Sequence, residues 1–394
     1  MSIRPLDGIT VVALEHVIAA PFCTRQLADL GARIIKIERP GDGDFARGYD
    51  TQVDGMSSHF VWVNRSKESI TLDLKQDSAL AVLKSLLKTA DVFIQNLAPG
   101  AAARMSLTAE LLQKDNPGLI LCAISGYGND GPYRDKKAYD LLIQSEAGFL
   151  SITGTPETPS KAGNSIADIA AGMYAYTNIL AALLQRGKTG KGTVIDISML
   201  EALSEWMSFP MYYAYKGANP PARNGASHAT IYPYGPFKAG DGKTVMLGLQ
   251  NEREWVQFCK TVLENPALAQ DERFDRNFKR NENRAELLKM IDACFSKLTS
   301  EQLIARLDKA QIANAYLNDM EGLWKHEQLK ARNRFTEVGS PNGVIAALLP
   351  PGLNDSYDYR MDPIPAVGEH TNSILKELGL ADTDIASLRA SGAI

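Results

Sequence analysis

The chain is poor in cysteine and shows no pattern among the few it has: Cys23, Cys122, Cys259 and Cys294 are spread over 394 residues and form no C-x-x-C pair. That spacing suggests neither a zinc site nor a disulfide framework and leaves buried thiols as the expectation, with no metal bound. An excess of one charge is also lacking. With 42 basic against 46 acidic residues the net charge is −4, which argues against a nucleic-acid partner but allows a local basic site. No apolar run is expected to reach membrane-spanning length, and Met1-Ser2-Ile3-Arg4 leads directly toward a strand with no signal h-region. A cytoplasmic protein with no membrane partner is therefore expected. The glycines of a dinucleotide site are missing too. Between the first strand and its helix stands Glu15-His16-Val17-Ile18-Ala19-Ala20-Pro21, with no G-x-G-x-x-G, and no Walker A sequence occurs.

What is present is alternation. Apolar strands are expected at Gly8–Leu14, Arg33–Glu38, Ser69–Leu74, Val92–Asn96, Leu119–Ser125 and Thr193–Ser198, separated by helices such as Pro21–Leu30 and Ala79–Lys88. This order predicts an α/β fold whose large domain is a Rossmann-like, mainly parallel sheet over residues 1–216. Leu200–Tyr215 reads as one aromatic-rich helix, and Gly217–Gly225 as a linker. A smaller α+β domain is expected over 217–330, opening with a hairpin around Asp241-Gly242. A turn-rich segment, 331–394, is expected to return to the large domain.

Asp168 carries the most information about chemistry. It lies where the polar turn Asn164-Ser165 becomes a helix expected over Ile169–Gln185, so the helix dipole favours its ionised form. An ionised carboxylate in a sheltered cleft is a nucleophile. Ser165 and Asp168 also fit the S-x-x-D pattern of a capping box, a purely structural alternative. Basic residues follow the strands: Arg39 after the second, Lys75 after the third, Arg104 after the Asn96-to-Gly100 turn, and Lys137 before a helix at Tyr139. Loops at the carboxyl ends of parallel strands converge on one crevice, although each cation could equally be a solvated surface charge.

These residues resemble the class III CoA-transferases, a family with formyl-CoA and carnitine-related transferases and a racemase branch. The resemblance rests on Pro5-Leu-Asp-Gly-Ile-Thr-Val-Val, the run from Ala20 to Gly41, Asn64-Arg-Ser-Lys67, Thr71-Leu-Asp-Leu-Lys75, Asn96 with Pro99-Gly100, Lys188-Thr-Gly-Lys-Gly192, and Gly368-Glu-His-Thr371 with Glu377-Leu-Gly379. It implies Asp168 as nucleophile, with coenzyme A contacts at Val17, Arg39, Leu72, Lys75, Asn96, Arg104, Lys137 and Tyr139. It further implies CoA thioesters as substrates rather than a resident cofactor, and a homodimer of interlocked rings. Ile18 replaces a glutamine of the formyl-CoA branch, and Gly248-Leu-Gln-Asn-Glu-Arg-Glu-Trp255 replaces its glycine-rich loop, which disfavours formyl or oxalyl substrates.

The resemblance implies transfer through an aspartyl mixed anhydride and an aspartyl-CoA thioester, with backbone N–H groups at the start of the Asp168 helix as oxyanion donors. The likeness is greatest to the branch moving CoA from succinyl-CoA to itaconate, citramalate, malate or mesaconate. A second carboxylate needs cations, for which Arg47, Arg65, Arg223 and His228 are candidates. Two alternatives stand beside this. A racemase or epimerase needs an acid and a base on opposite faces, and Tyr139 stands where that branch has its histidine, leaving only His16, His59 or His228 to be recruited. A non-catalytic CoA sensor would keep Arg39, Lys75 and Arg104 but have no use for Asp168. Asp140 is a second candidate nucleophile or a simple helix cap.

Overall fold

The computed structural model describes residues 3–394; Met1 and Ser2, part of the expected direct entry into the first strand, lie outside the described residues. Two compact units make up the chain. One comprises the residues up to Ala147, Ala162–Met207 and Leu329–Ile394; the other comprises Gly148–Lys161 and Ser208–Gln328.

The first unit is built on a six-stranded parallel sheet: β1 (Thr10–Leu14), β2 (Arg33–Glu38), β3 (Lys67–Thr71), β4 (Val92–Gln95), β5 (Ile120–Ser125) and β6 (Val194–Ser198), in the order β3-β2-β1-β4-β5-β6. Its central strands read as nearly unbroken apolar runs because helices cover both faces, and Val11, Val12, Ile34 and Ile94 are fully buried. Val12 pairs with Ile35 on one side and Phe93 on the other. Each such side chain contributes roughly 1.5–3 kcal/mol by leaving water. The fold class is that expected from the alternation of elements.

Two helices matter most for the site. Ala19–Asp29 follows β1, and Ile166–Thr189 packs along it. Gly172 makes this approach possible: a Cβ there would stand 2.6 Å from the Ala19 carbonyl oxygen. Glycine in a helix interior costs about 1 kcal/mol relative to alanine, so its presence reflects the contact rather than helix propensity. Asp168 is one turn before it. At the other end, Gly190 closes the helix at φ +70, so part of the Lys188–Gly192 motif is a helix stop.

Several expectations are corrected. The Ile166–Thr189 helix, with 24 residues, is long and apolar enough to cross a membrane, whereas no run was expected to be; it packs against the Ala19 and Met199 helices and against β5 and β6. Leu200–Tyr215 is two helices, Met199–Trp206 and Ser208–Tyr213, because the Pro210 ring clashes with the carbonyl four residues earlier, at Trp206. Cys23, Cys122 and Cys259 are buried, but Cys294 is only half-buried.

The C-terminal segment closes the open edge of β3. The His370 N–H donates to the Ser69 carbonyl at 2.9 Å, and the Thr71 N–H donates to Thr371 Oγ1 at 3.1 Å. Arg33 on β2 pairs with Glu377 at 2.7 Å. The second unit has its own three-stranded antiparallel sheet, β7 (Tyr234–Lys238), β8 (Thr244–Gly248) and β9 (Ala313–Tyr316), with Asp241-Gly242 between β7 and β8. Trp255, Phe258, Phe274 and Phe295 fill its core.

Candidate active site

The strand order reverses at β1, which has β2 on one side and β4 on the other, and such a switch point opens a crevice at the carboxyl ends of the strands. Because the sheet is parallel, the loops after β1 to β5 all emerge at that end. They carry, in order, Val17; Arg39; Leu72 and Lys75; Asn96 and Arg104; and Lys137 and Tyr139. Beside them, between the ends of β4 and β5, lies a cleft of about 410 Å³ lined in part by Gln95, Pro99, Gly100, Ser125 and Arg134. Arg134 carries no motif in the sequence, and only the fold brings it here.

The individual residues differ in what they have to offer a ligand. Asn96 spends its amide on the protein: Oδ1 accepts from the His16 N–H and Nδ2 donates to the His16 carbonyl, both at 2.9 Å. It therefore shapes the loop after β1. Val17 in that loop has φ +64, the left-handed region that a β-branched residue rarely enters, and its N–H donates to Asp44 Oδ1 at 3.1 Å. Leu72 is buried in the core, so only its backbone can meet a ligand. Arg39 is exposed and lies over the Phe45 ring at 4.2 Å. Lys75, Arg104, Lys137 and Tyr139 are exposed.

Asp168 stands in the first turn of the Ile166–Thr189 helix, not before it. Ser165 makes no side-chain cap, so the capping-box alternative fails. The cap comes from 28 residues upstream: Asp140 Oδ1 accepts from the Ala167 N–H at 2.8 Å and the Asp168 N–H at 3.4 Å. The buried Gln144 donates to Asp140 Oδ2 at 2.6 Å and accepts from the Ala162 N–H, which fixes the Asp140 carboxylate. Asp140 thus caps the Asp168 helix rather than its own. The expected oxyanion donors are also corrected, because the Ala167 and Asp168 N–H groups point at Asp140 and the Ile169 N–H at the Ser165 carbonyl.

The electrostatics reverse the expectation drawn from the helix dipole. Protein atoms crowd the Asp168 carboxyl although the residue keeps some solvent contact, and burial together with the nearby Asp140 charge raises its pKa to about 7. Desolvation and a like charge outweigh a half-charge at a helix end. At neutral pH the group is divided between acid and carboxylate. Tyr49 carries no motif either, yet its hydroxyl lies within electrostatic reach of Asp168 and Tyr139, and burial is the main cause of its raised pKa.

The model of CoA-transferase family III matches residues 6–371 of this chain. The protein belongs to that family. It is 34% identical to succinyl-CoA:glutarate CoA-transferase of Mus musculus over 400 residues, covering all of this chain and 91% of the mouse protein. It is 35% identical to acetyl-CoA:oxalate CoA-transferase of Acetobacter aceti over 95% of each chain. Among solved structures, a CAIB/BAIF family protein from Brucella suis superposes with a TM-score of 0.85 at 32% identity, covering 96% of this chain and all of the other. The family resemblance in the sequence is thereby borne out, and the protein is an enzyme of the transferase class.

Four residues considered for a second substrate carboxylate in this CoA-transferase are committed elsewhere. Arg47 makes two 2.8 Å bonds to Glu38, and the buried Arg65 makes two 2.8 Å bonds to Asp29. Arg223 donates to the carbonyls of Thr155 and Pro156, each at 2.9 Å. His228 stacks on Tyr234, and its Nδ1 accepts from the backbone of Thr230 and Ile231. Of the other histidines, His59 lies 3.2 Å from Asp50, and burial holds the His16 ring below its ordinary pKa.

Proposed function

We propose that this CoA-transferase moves CoA from succinyl-CoA to a dicarboxylate of four or five carbons through covalent intermediates on Asp168. The observation that carries the reading is a half-buried carboxyl with a pKa near 7, on a helix capped by Asp140, in a family III chain whose basic residues follow the carboxyl ends of the parallel strands. The Asp168 carboxylate attacks the thioester carbonyl, the C–S bond breaks, and CoA leaves as thiolate from a mixed anhydride. The thiolate then attacks the aspartyl carbonyl, releasing succinate and leaving an aspartyl-CoA thioester. The acceptor carboxylate attacks that thioester, expelling thiolate and forming a second anhydride. Thiolate attack on the acceptor's acyl carbon completes the transfer and frees Asp168. Burial favours all four steps by excluding water from both anhydrides and from the thioester between them.

In this reading Arg39, Lys75, Arg104 and Lys137 meet the phosphates of CoA, while Val17, Leu72, Asn96 and Tyr139 border its path. The reading is tested by assaying succinyl-CoA against oxalate, malate, glutarate, itaconate, citramalate and mesaconate. The C4 and C5 acids should be accepted, with glutarate favoured by the likeness to the mouse enzyme. Transfer to oxalate alone would replace them. In the same assay, alanine at the residue that holds the 3′-phosphate should raise the KM for succinyl-CoA about 10–100-fold but leave that for its dephospho analogue unchanged. If all four variants keep wild-type KM, these cations are not at the site.

We also propose a homodimer of interlocked rings acting in the cytoplasm. The Ser208–Tyr213 helix supports the assembly, since Phe209, Met211, Tyr212 and Tyr213 on it are exposed, more apolar surface than one short helix normally leaves in water. An interlocked dimer should persist on dilution to nanomolar concentration and dissociate only as secondary structure melts. A folded monomer in sedimentation at that concentration would rule it out.

A further inference from the structure

Around the carboxyl ends of β1 and β2, and reaching the first residue of β3, lies a group of ionised side chains that the transfer chemistry leaves without a role. Glu15, Lys36, Glu38, Asp44 and Lys67 are buried, and Arg47 joins them, so three cations face three anions. Four of them form a continuous chain. Asp44 Oδ2 is 2.7 Å from Lys36 Nζ, which is 3.4 Å from Glu15 Oε1, which is 2.6 Å from Lys67 Nζ. Lys67 Nζ ends the chain on the carbonyl of Pro21 and on Asn64 Oδ1. Burial opposes the charges of Lys36 and Asp44, yet the two hold each other ionised, with the Asp44 pKa down at about 2.

Buried ion pairs are a poor route to stability, since apolar residues of similar volume often serve as well or better. What this chain does have is a definite free end. The other Asp44 oxygen accepts from the N–H of Val17, the β-branched residue at φ +64, and from the N–H of Ala46 at 3.0 Å. Strained backbone of this kind persists only where its surroundings over-determine it, and it gathers at ligand sites. The segment is gripped twice, His16 by Asn96 from the loop after β4 and Val17 by Asp44 from the loop after β2. These two loops flank the switch point.

We infer that Asp44, Lys36 and Glu15 are positioning residues that preform the acyl-CoA crevice by holding Val17 in its left-handed conformation. The inference rests on the CoA-transferase reading above. A preformed loop lowers the ordering cost of binding, so its loss should appear in KM and not in the chemical step. The informative variant is Lys36→Met/Asp44→Ala, which removes one charge of each sign and leaves Glu15 paired with Lys67. KM for succinyl-CoA should rise about tenfold or more while kcat stays within about threefold. Adding Val17→Gly should restore part of the loss, because glycine adopts a positive φ unaided. If the double variant does not fold, Asp44→Asn supplies the same measurement on a smaller scale, a KM rise of about threefold. Calorimetric titration of CoA separates the two levels of argument. No binding to the wild type overturns the transferase reading and this inference with it. Wild-type KM and CoA affinity in the variants, or equal losses in kcat and in kcat/KM, overturn the positioning role alone.

Discussion

Asp168→Asn should reduce CoA transfer by about 10³-fold or more while the protein stays folded and still binds CoA, since an amide has the shape of the carboxyl but cannot form the anhydride. Incubating the wild type with succinyl-CoA should label a peptide containing Asp168, and the variant should give none. The raised pKa adds a less usual expectation. The folded-state value is about 7, above the ordinary value near 4, so the folded protein holds this proton more tightly than the unfolded chain does. The associated stability is present below about pH 4 and is lost as pH rises through 7. At pH 8 the wild type bears the full cost of a crowded carboxylate and the Asn variant does not. After discounting for partial solvent contact, Asp168→Asn should be more stable by about 1–2 kcal/mol at pH 8, with the difference shrinking toward pH 4. The same titration requires kcat/KM of the wild type to rise with pH and level off above about 7, with Asp140 and Tyr49 the titratable groups facing Asp168. Near-normal transfer by the variant would end the nucleophile assignment; equal stability at both pH values would remove the burial argument.

The largest stability effect should come from Asp29. This carboxylate is buried between two guanidinium groups, Arg25 at 2.7 Å and a bidentate Arg65 at 2.8 Å. Asp29→Ala leaves both buried cations without their partner, and breaking such a group costs about 3–5 kcal/mol. Urea unfolding should show that loss, and added salt should change it little, because the partners are shielded from bulk ions. An effect below 1 kcal/mol would mean that water reaches the arginines in the variant.

The parallel sheet was legible in the sequence for a physical reason: strands covered on both faces are nearly continuous apolar runs, so β1, β2, β4 and β5 stand out with errors of a residue or two at their ends. Asp168 stood out as a carboxylate at a helix start, but its local context fitted a capping box equally well, and only the family resemblance singled it out as nucleophile. Its environment was not legible, because the cap comes from Asp140, and no local pattern links positions 28 apart. The same holds for Arg47 and Arg65, which resemble ligand cations until folding sets Glu38 and Asp29 against them. The break within Leu200–Tyr215 is different. Its signal, Pro210, was in plain view, but the apolar periodicity ran through it.

Closure of the β3 edge has a consequence for synthesis on the ribosome. Ser69 receives its partner, His370, only after 301 further residues have been made. At about 5–20 residues per second, that interval is roughly 15–60 s. Throughout it β3 presents an unpaired strand edge to solvent, the kind of template on which nascent chains pair with one another. Overexpression should therefore yield insoluble protein through unfinished chains rather than through instability of the finished enzyme, and slower initiation or a holdase chaperone should improve the soluble yield more than any stabilising substitution in the core.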